Sequence, residues 1–234
     1  MAIDKAVDST ALDGLFTAIA NAIRSKTGGS NTMTPAQMAT EIASMQTGDT
    51  FSDLVLTGTK TSYSNSTVTS IPNYTFSHNN YIEDVTFENV ETIGDYAFHY
   101  SHLKTFSFPK VKAIGTYAFE QTRLTGTVTL PSTITSIGPR AFNAVNSATF
   151  TKVVFEGQAP DLPSRAFRGN ARLEEFDFTH CTTVPALANT DAFDLLSDNF
   201  KIIVPDDLYN TWIAASNWVT YASHIIKETD FNAL

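Results

Sequence analysis

Cysteine and basic residues are scarce in this chain of 234 residues, and each shortage excludes a class of protein. Cys181 is the one cysteine, so no disulfide can form within the chain. Lysine and arginine number 15 against 24 aspartates and glutamates, which gives a formal net charge of -9. Nucleic acids and anionic membranes are bound through clustered basic side chains. We therefore expect neither a nucleic acid nor a membrane among the partners of this protein.

Long apolar runs are also missing. No stretch approaches the ~20 residues that a membrane-spanning helix needs. The first ten residues, MAIDKAVDST, lack the positive start and the apolar stretch of a secretory signal. The chain as written is therefore predicted to be soluble and not exported by that route.

Motifs that mark common catalytic sites are absent as well. The sequence has no glycine-rich phosphate loop, no G-x-S-x-G, no H-E-x-x-H and no C-x-x-C. Glu175 and Asp177 are conceivable as a carboxylate pair, but alternation along a strand places both on an outward polar face. We predict that the protein is not an enzyme and binds no cofactor or metal.

What the sequence does contain is a repeat. A phenylalanine, preceded by alanine in every copy but the first, recurs at steps of 22, 21, 23, 25 and 26 residues. These anchors are Phe76, Phe98, Phe119, Phe142, Phe167 and Phe193. Internal repetition at such a period is typical of solenoids, in which each unit contacts only its neighbours.

A second motif, apolar-x-x-apolar-x-apolar, keeps phase with the anchors. It reads IEDVTF at 82–87, LKTFSF at 103–108, FTKVVF at 150–155 and LEEFDF at 173–178. FSDLVL at 51–56 is an earlier copy, and FKIIVP at 200–205 is a weaker last one. LTGTVTL at 124–130 is the same motif with one residue added. Long inserts fall at Thr57 to Ser70 and before Phe193.

The alternation in this motif predicts a short strand with one buried face. We expect inward side chains at Ile82, Val85, Phe87, Leu103, Phe106 and Phe108. A turn follows, and a second pair of apolar residues, such as Val90 and Ile93, points inward again. One such coil cannot bury its apolar face alone, whereas stacked copies form a continuous core.

The combined pattern, L-x-x-[VF]-x-[FL]-P-x-x-[VI]-x-x-IG-x-x-AF, resembles the BspA-type leucine-rich repeats over roughly residues 51–205. The resemblance implies an α/β repeat solenoid, a right-handed coil with a parallel sheet along one face. We divide the chain into a helical hairpin at 1–48, the repeats at 49–199, and a last strand with a C-terminal helical cap at 200–234.

Histidine and cysteine receive structural interpretations. His99 and His102 have a spacing that could serve a metal on a helix, but they follow an anchor in a loop, where we expect exposed side chains. Cys181 takes the place that Val90 and Val111 hold in other repeats, so we expect a small buried side chain there.

Residues 1–48 carry a helical pattern. Thr10 and Thr34 are candidate N-caps, and Gly28 and Gly48 end the two helices. The apolar positions form one narrow seam at helical spacing: Leu12, Leu15, Phe16, Ile19, Ile23, Met38, Ile42 and Met45. The seam is too small for a core of its own. We expect the hairpin to dock on the repeats, to self-associate or to attach to a partner.

The hairpin sequence LFTAIANAIRSKTGGSNTMTPAQMATEIASM is similar to the N-terminal segment of many structural proteins in phages of Gram-positive bacteria. The shared pattern is A-I-A-x-A-I-R-x-K-[ST]-G and then, after a gap, M-x-P-x-x-M-A-x-x-I. This resemblance implies a connector that joins an outer module to the virion, with other virion proteins as its partners.

The outward side of the predicted strands is the candidate partner-binding surface, because extended solenoid faces bind large partners. Tyr63 joins the set as an aromatic that we expect to lie inside an insert without a counterpart in other repeats. The candidate residues are Tyr63, Asp84, Thr86, Thr105, Ser107, Thr127, Thr129, Lys152, Glu175 and Asp177.

Two functions fit these observations. The first is a phage virion protein that binds a host surface protein or glycan at the tail, or decorates the capsid. The second is a bacterial cell-surface adhesin of the BspA type, which would need export and an anchor. The absence of a visible signal favours the first.

Overall fold

The computed structural model describes residues 61–234, which lie in the second of two units of the chain, Gly58–Leu234. The predicted hairpin with its eight seam residues, and the strand motif at 51–56, fall outside the described residues. Twelve strands occur within 61–234: β1 (Ser62–Asn65), β2 (Ser70–Ile71), β3 (Asp84–Phe87), β4 (Thr92–Ile93), β5 (Thr105–Ser107), β6 (Ala113–Ile114), β7 (Gly126–Leu130), β8 (Ser136–Ile137), β9 (Phe150–Phe155), β10 (Glu175–Asp177), β11 (Lys201–Val204) and β12 (Ile225–Lys227).

The longer strands form a row that we call the strand face. It consists of one sheet in the order β1-β3-β5 and another in the order β7-β9-β10-β11-β12. Each neighbouring pair is parallel, and within each sheet a strand pairs with its counterpart in the next coil. This arrangement confirms the predicted solenoid with a parallel sheet along one face.

A second parallel sheet, β2-β4-β6-β8, was not predicted. Its strands have only two residues each, and an isoleucine ends every one of them: Ile71, Ile93, Ile114 and Ile137. Each isoleucine is buried and lies beside the isoleucine of the neighbouring coil. Two residues are too few to show the alternation by which sequence analysis finds a strand.

Anchor phenylalanines stack through the centre of the repeats. All six are buried, with ring centroids 4.9, 5.2, 5.1, 5.4 and 6.1 Å apart from one coil to the next. Their planes differ by 11° or less. The offset stacking of aromatic rings adds to the stabilisation from burial, so the repeated phenylalanine fixes the spacing of the coils.

Turns with left-handed backbone carry these anchors. The residue two positions before each of the first five anchors has a φ of 57° to 62°, as at Tyr96, Tyr117 and Arg140. Such a φ is unfavourable for residues other than glycine. Here it aims the backbone N–H at the next coil, since Tyr96 donates to the carbonyl of Thr116 at 2.9 Å and Tyr117 to that of Pro139 at 3.0 Å. Hydrogen bonds between coils therefore offset the backbone strain.

Glycine before the anchor turn is required by close packing. A Cβ on Gly138 would lie 2.4 Å from the backbone nitrogen of Thr116, and one on Gly115 would lie 2.6 Å from that of Asp95. Real Cβ atoms essentially never come so close to backbone atoms. The coils therefore approach one another through these glycines.

The predicted insert at Thr57 to Ser70 needs correction. Its described part contains β1, which supplies this coil's strand to the strand face. Tyr63 pairs in register with Val85, so it occupies a position that the other coils use for an inward apolar residue. The prediction that Tyr63 has no counterpart was wrong, because serine and asparagine around it hide the strand alternation.

The C-terminal residues close the last coil. A helix α1 (Tyr209–Ala214), a 3-10 helix (Trp218–His224) and a short helix α2 (Glu228–Phe231) surround β12. Trp212 and Trp218 are fully buried, and the ring of Trp212 lies 5.4 Å from that of Phe178. This is the predicted cap. Within residues 61–234, no helix has both the length and the apolarity needed to cross a membrane.

Replacement of a central anchor tests the stacked core. Phe119→Ala should lower the free energy of unfolding by about 3 to 5 kcal/mol, because it leaves a cavity between Phe98 and Phe142. Chemical denaturation followed by circular dichroism measures the change. Val219→Ala serves as the control, since Val219 is exposed and should cost less than about 0.5 kcal/mol. A loss below about 1 kcal/mol for Phe119→Ala would contradict this account.

Candidate interaction surface

Outward side chains of β3, β5 and β7 form a polar, exposed part of the strand face. The residues Asp84, Thr86, Thr105, Ser107, Thr127 and Thr129 are all exposed, as the sequence predicted. Those of β3 and β5 lie in register, and the hydroxyl of Thr105 donates to the carboxylate of Asp84. Hydroxyls from successive coils are thereby brought side by side on one surface.

At the other end of the strand face, three charged side chains contact one another. The ammonium of Lys152 lies 3.3 Å from a carboxylate oxygen of Glu175 and 3.5 Å from one of Asp177. All three are half-buried rather than fully solvated. A single lysine bridges two carboxylates of the next strand, so this end of the surface is polar without carrying two free negative charges.

Tyr63 is half-buried and does not project from the surface as a loop aromatic would. Its ring lies 5.4 Å from that of Phe87, and its hydroxyl accepts a hydrogen bond of 3.1 Å from the side-chain amide of Asn65. These contacts make Tyr63 part of the packing under the strand face.

A split interrupts the strand face between β5 and β7, which pair with β3 and β9 respectively but not with each other. Between them lies a cavity of about 280 Å³. Its apolar wall includes Phe106, Phe108, Leu124 and Val128. Thr105, Ser107, Thr127 and Thr129 from the predicted surface line it as well. In the sequence, the residue added to the strand motif LTGTVTL was the signal from which this split could have been predicted.

Aromatic side chains also stack along the outer edge of the anchor turns. Tyr74 and Tyr96 lie 4.9 Å apart, Tyr96 and Tyr117 lie 4.7 Å apart, and the guanidinium of Arg140 sits 5.2 Å from the ring of Tyr117. Tyr74 is 59% exposed at the end of this ladder. Because Tyr96 and Tyr117 shield each other's faces, their role is mainly structural.

His99 departs from the prediction of exposed loop histidines. It is half-buried, and its Nε2 lies 3.1 Å from a carboxylate oxygen of Glu120 in the next coil. Burial lowers the pKa of His99, while the nearby Glu120 opposes that shift. The repeat step of 21 residues from Phe98 to Phe119 also separates these two, so the sequence could have paired them. Across residues 61–234, no three histidine, cysteine or acidic side chains cluster as a metal site would require.

Comparison with known families decides the assignment. A family model described as "BspA type Leucine rich repeat region" matches residues 48–125 and 91–193, with six copies of the repeat. The two matches together span more than half of the chain. The chain belongs to the BspA-type leucine-rich repeat family. Repeats of this kind build extended binding surfaces.

Among solved structures, this BspA-type chain is similar to the crystal structure of the pneumococcal vaccine antigen PcpA. The likeness has a TM-score of 0.58 at 20% identity and covers 73% of this chain and 42% of the PcpA chain. The protein thus spans less than half of that structure, and the likeness supports the fold alone. The T. pallidum leucine-rich repeat protein TpLRR is similar at 15% identity with a TM-score of 0.40, covering 72% of this chain and 86% of that one. None of the curated proteins matches.

Cys181 of the BspA-type repeats is a packing residue, as predicted. Its side chain is 4% exposed, and the backbone N–H of Ala159 donates to its sulfur at 3.4 Å. Burial raises the pKa of the Cys181 thiol, so the reactive thiolate is rare at neutral pH.

A thiol reagent should therefore discriminate between folded and unfolded protein. At pH 7 the native chain should react with Ellman's reagent at least about 100-fold more slowly than the chain in denaturant, because reaction requires local opening. Absorbance of the released thiolate measures both rates. Equal rates in the two states would show that Cys181 is accessible in the fold.

Proposed function

We propose that this protein is a non-enzymatic interaction protein of a phage particle, which presents the strand face to a protein or glycan on the host surface. The observation that carries the proposal is the set of exposed polar side chains that lie in register on β3 and β5 and recur on β7. Hydrogen bonding inside each sheet fixes their spacing, so little ordering is needed on binding.

The N-terminal residues support the placement on a phage particle. Residues 1–48 resemble the connector segments of phage structural proteins, and a connector would leave the repeats free for contact. The proposed partners are therefore virion proteins at the hairpin and a host molecule at the repeats. Both tail and capsid positions fit this arrangement.

A bacterial surface adhesin is the alternative. It is equally compatible with the family, because BspA-type repeats build the same kind of binding surface whether a virion or a cell carries them. In that case the chain would be found on the surface of the cell that encodes it.

Deletion of residues 1–48 separates these two functions. In the phage that encodes the chain, particles should then lack it, while the free repeats remain folded as shown by circular dichroism. Mass spectrometry of purified particles measures incorporation, with the full-length chain as control. Absence of the full-length chain from wild-type particles, together with its presence on the surface of the encoding cell, would favour the adhesin.

A substitution on the strand face tests the binding surface itself. Thr86→Arg adds a long charged side chain to an exposed position of β3 and should lower particle adsorption to host cells at least about tenfold. Thr92→Arg is the matched control, since Thr92 is an exposed threonine on the short strand β4 of the other sheet. Equal adsorption by both variants would exclude this part of the strand face from binding.

A further inference from the structure

The split between β5 and β7 exposes two strand edges that face each other. On β5, the N–H of Thr105 donates back to Glu83 of the preceding coil at 3.0 Å. Alternate residues of a parallel strand aim their backbone groups at opposite neighbours. The N–H and C=O of Phe106 therefore point into the split.

On β7 the same alternation leaves the opposite edge unpaired. The carbonyl of Leu130 accepts from the N–H of Glu156 at 3.0 Å, and the N–H of Gly126 donates to the carbonyl of Thr149 at 2.7 Å. The backbone groups of Leu130 and Gly126 therefore point toward β9 and the residue just before it. The backbone groups of Thr127 and Thr129, which alternate with them, point into the split. Three residues thus present unpaired strand groups across one cavity.

The split begins at Gly126. This glycine is the added residue of the motif and has a φ of 63°, a backbone conformation suited to glycine. Thr125, just before it, still donates to Lys104 of the preceding coil at 3.0 Å, whereas Gly126 donates to the following coil. The chain therefore leaves β5 at Gly126, and β7 pairs only with β9.

One apolar side chain beside the split, that of Phe106, is left partly uncovered. Phe106 is half-buried, whereas the residues at its position in the preceding coil, Val85, and two coils further on, Val153, are 2% and 0% exposed. Val128, across the split, remains buried at 5% exposure. An apolar floor thus lies under the two polar edges.

We propose that an extended polypeptide segment of the partner enters this split as a strand and pairs with β5 and β7 at once. Only another peptide backbone supplies alternating donors and acceptors to both edges, which is the basis of strand addition at open sheet edges. About three residues, at roughly 3.3 Å each, match the length of β5. The proposal rests on the proposed function only in taking the strand face as the contact surface.

The split also specifies the side chains of that segment. Successive residues of a strand point to opposite faces. The middle residue would point inward onto Phe106 and Val128, and its neighbours would point outward beside Thr105 and Thr127. The segment should therefore read polar, apolar, polar, with a β-branched residue such as valine favoured in the middle.

Nuclear magnetic resonance with a capped peptide tests this directly. The probe is acetyl-Thr-Thr-Val-Thr-Thr-amide at about 1 mM, a concentration suited to weak binding. The control peptide has the same side chains but carries N-methyl groups on the backbone nitrogens of residues two and four, which removes donors to one edge. We expect the probe to slow amide exchange of Phe106, Thr127 and Thr129 at least about tenfold, and the control peptide to leave it unchanged.

Two variants of the full chain make the test specific. Deletion of Gly126 restores the six-residue motif of the other coils and should let β7 pair with β5, which protects the same three amides without peptide and abolishes the probe's effect. Thr129→Pro removes one N–H that faces the split and leaves the pairing with β9 intact, since proline is tolerated at an unpaired edge. Thr129→Pro should reduce the protection that the probe peptide gives to the amides of Phe106 and Thr127, while the far-ultraviolet circular dichroism stays unchanged.

Several results would overturn the inference. These are equal protection by the methylated peptide, no protection by either peptide, or amides that are already protected in the free wild-type chain. Protection that grows with protein concentration alone would make a second copy the occupant and would also overturn it. Loss of adsorption in Thr86→Arg but not in the Gly126 deletion would refute strand entry and leave the proposed function standing.

Discussion

Burial of one coil against the next is the interaction on which the rest of this structure depends. No coil has a core of its own, so each stacked phenylalanine is covered only because the neighbouring coil supplies another at about 5 Å. Hydrogen bonds across the same interface offset the strain of the left-handed backbone at Tyr96 and Tyr117. Stability in such an array is the sum of neighbour contacts, which explains why the same residue types recur along the sequence.

The features that recur in every coil could be predicted from the sequence. Buried side chains at Ile82, Val85 and Phe87 followed from alternation in the strand motif, and the buried Cys181 followed from its position in the repeat. Family membership followed from the same regularity. A pattern that recurs six times constrains its own interpretation, because an error in one copy is corrected by the others.

Features that depend on a departure from the repeat were harder to predict. Tyr63 lies in a strand whose other residues are serine and asparagine, so composition masked its alternation. The added Gly126 was visible, but its effect on the sheet depends on a left-handed φ that the sequence does not specify. By contrast, the pairing of His99 with Glu120 follows the repeat step of 21 residues, so an alignment of the coils could have predicted it.

The buried tryptophans of the C-terminal cap have a consequence for how such an array changes in length. The rings of Trp212 and Trp218 cover Phe178 near the end of the array, and Trp218 donates to the carbonyl of Pro185 at 2.8 Å. The core that another coil would need is thus already covered by the two tryptophans. Gene duplication can therefore lengthen the array by adding units ahead of the residues that close it, with the same cap kept at the end.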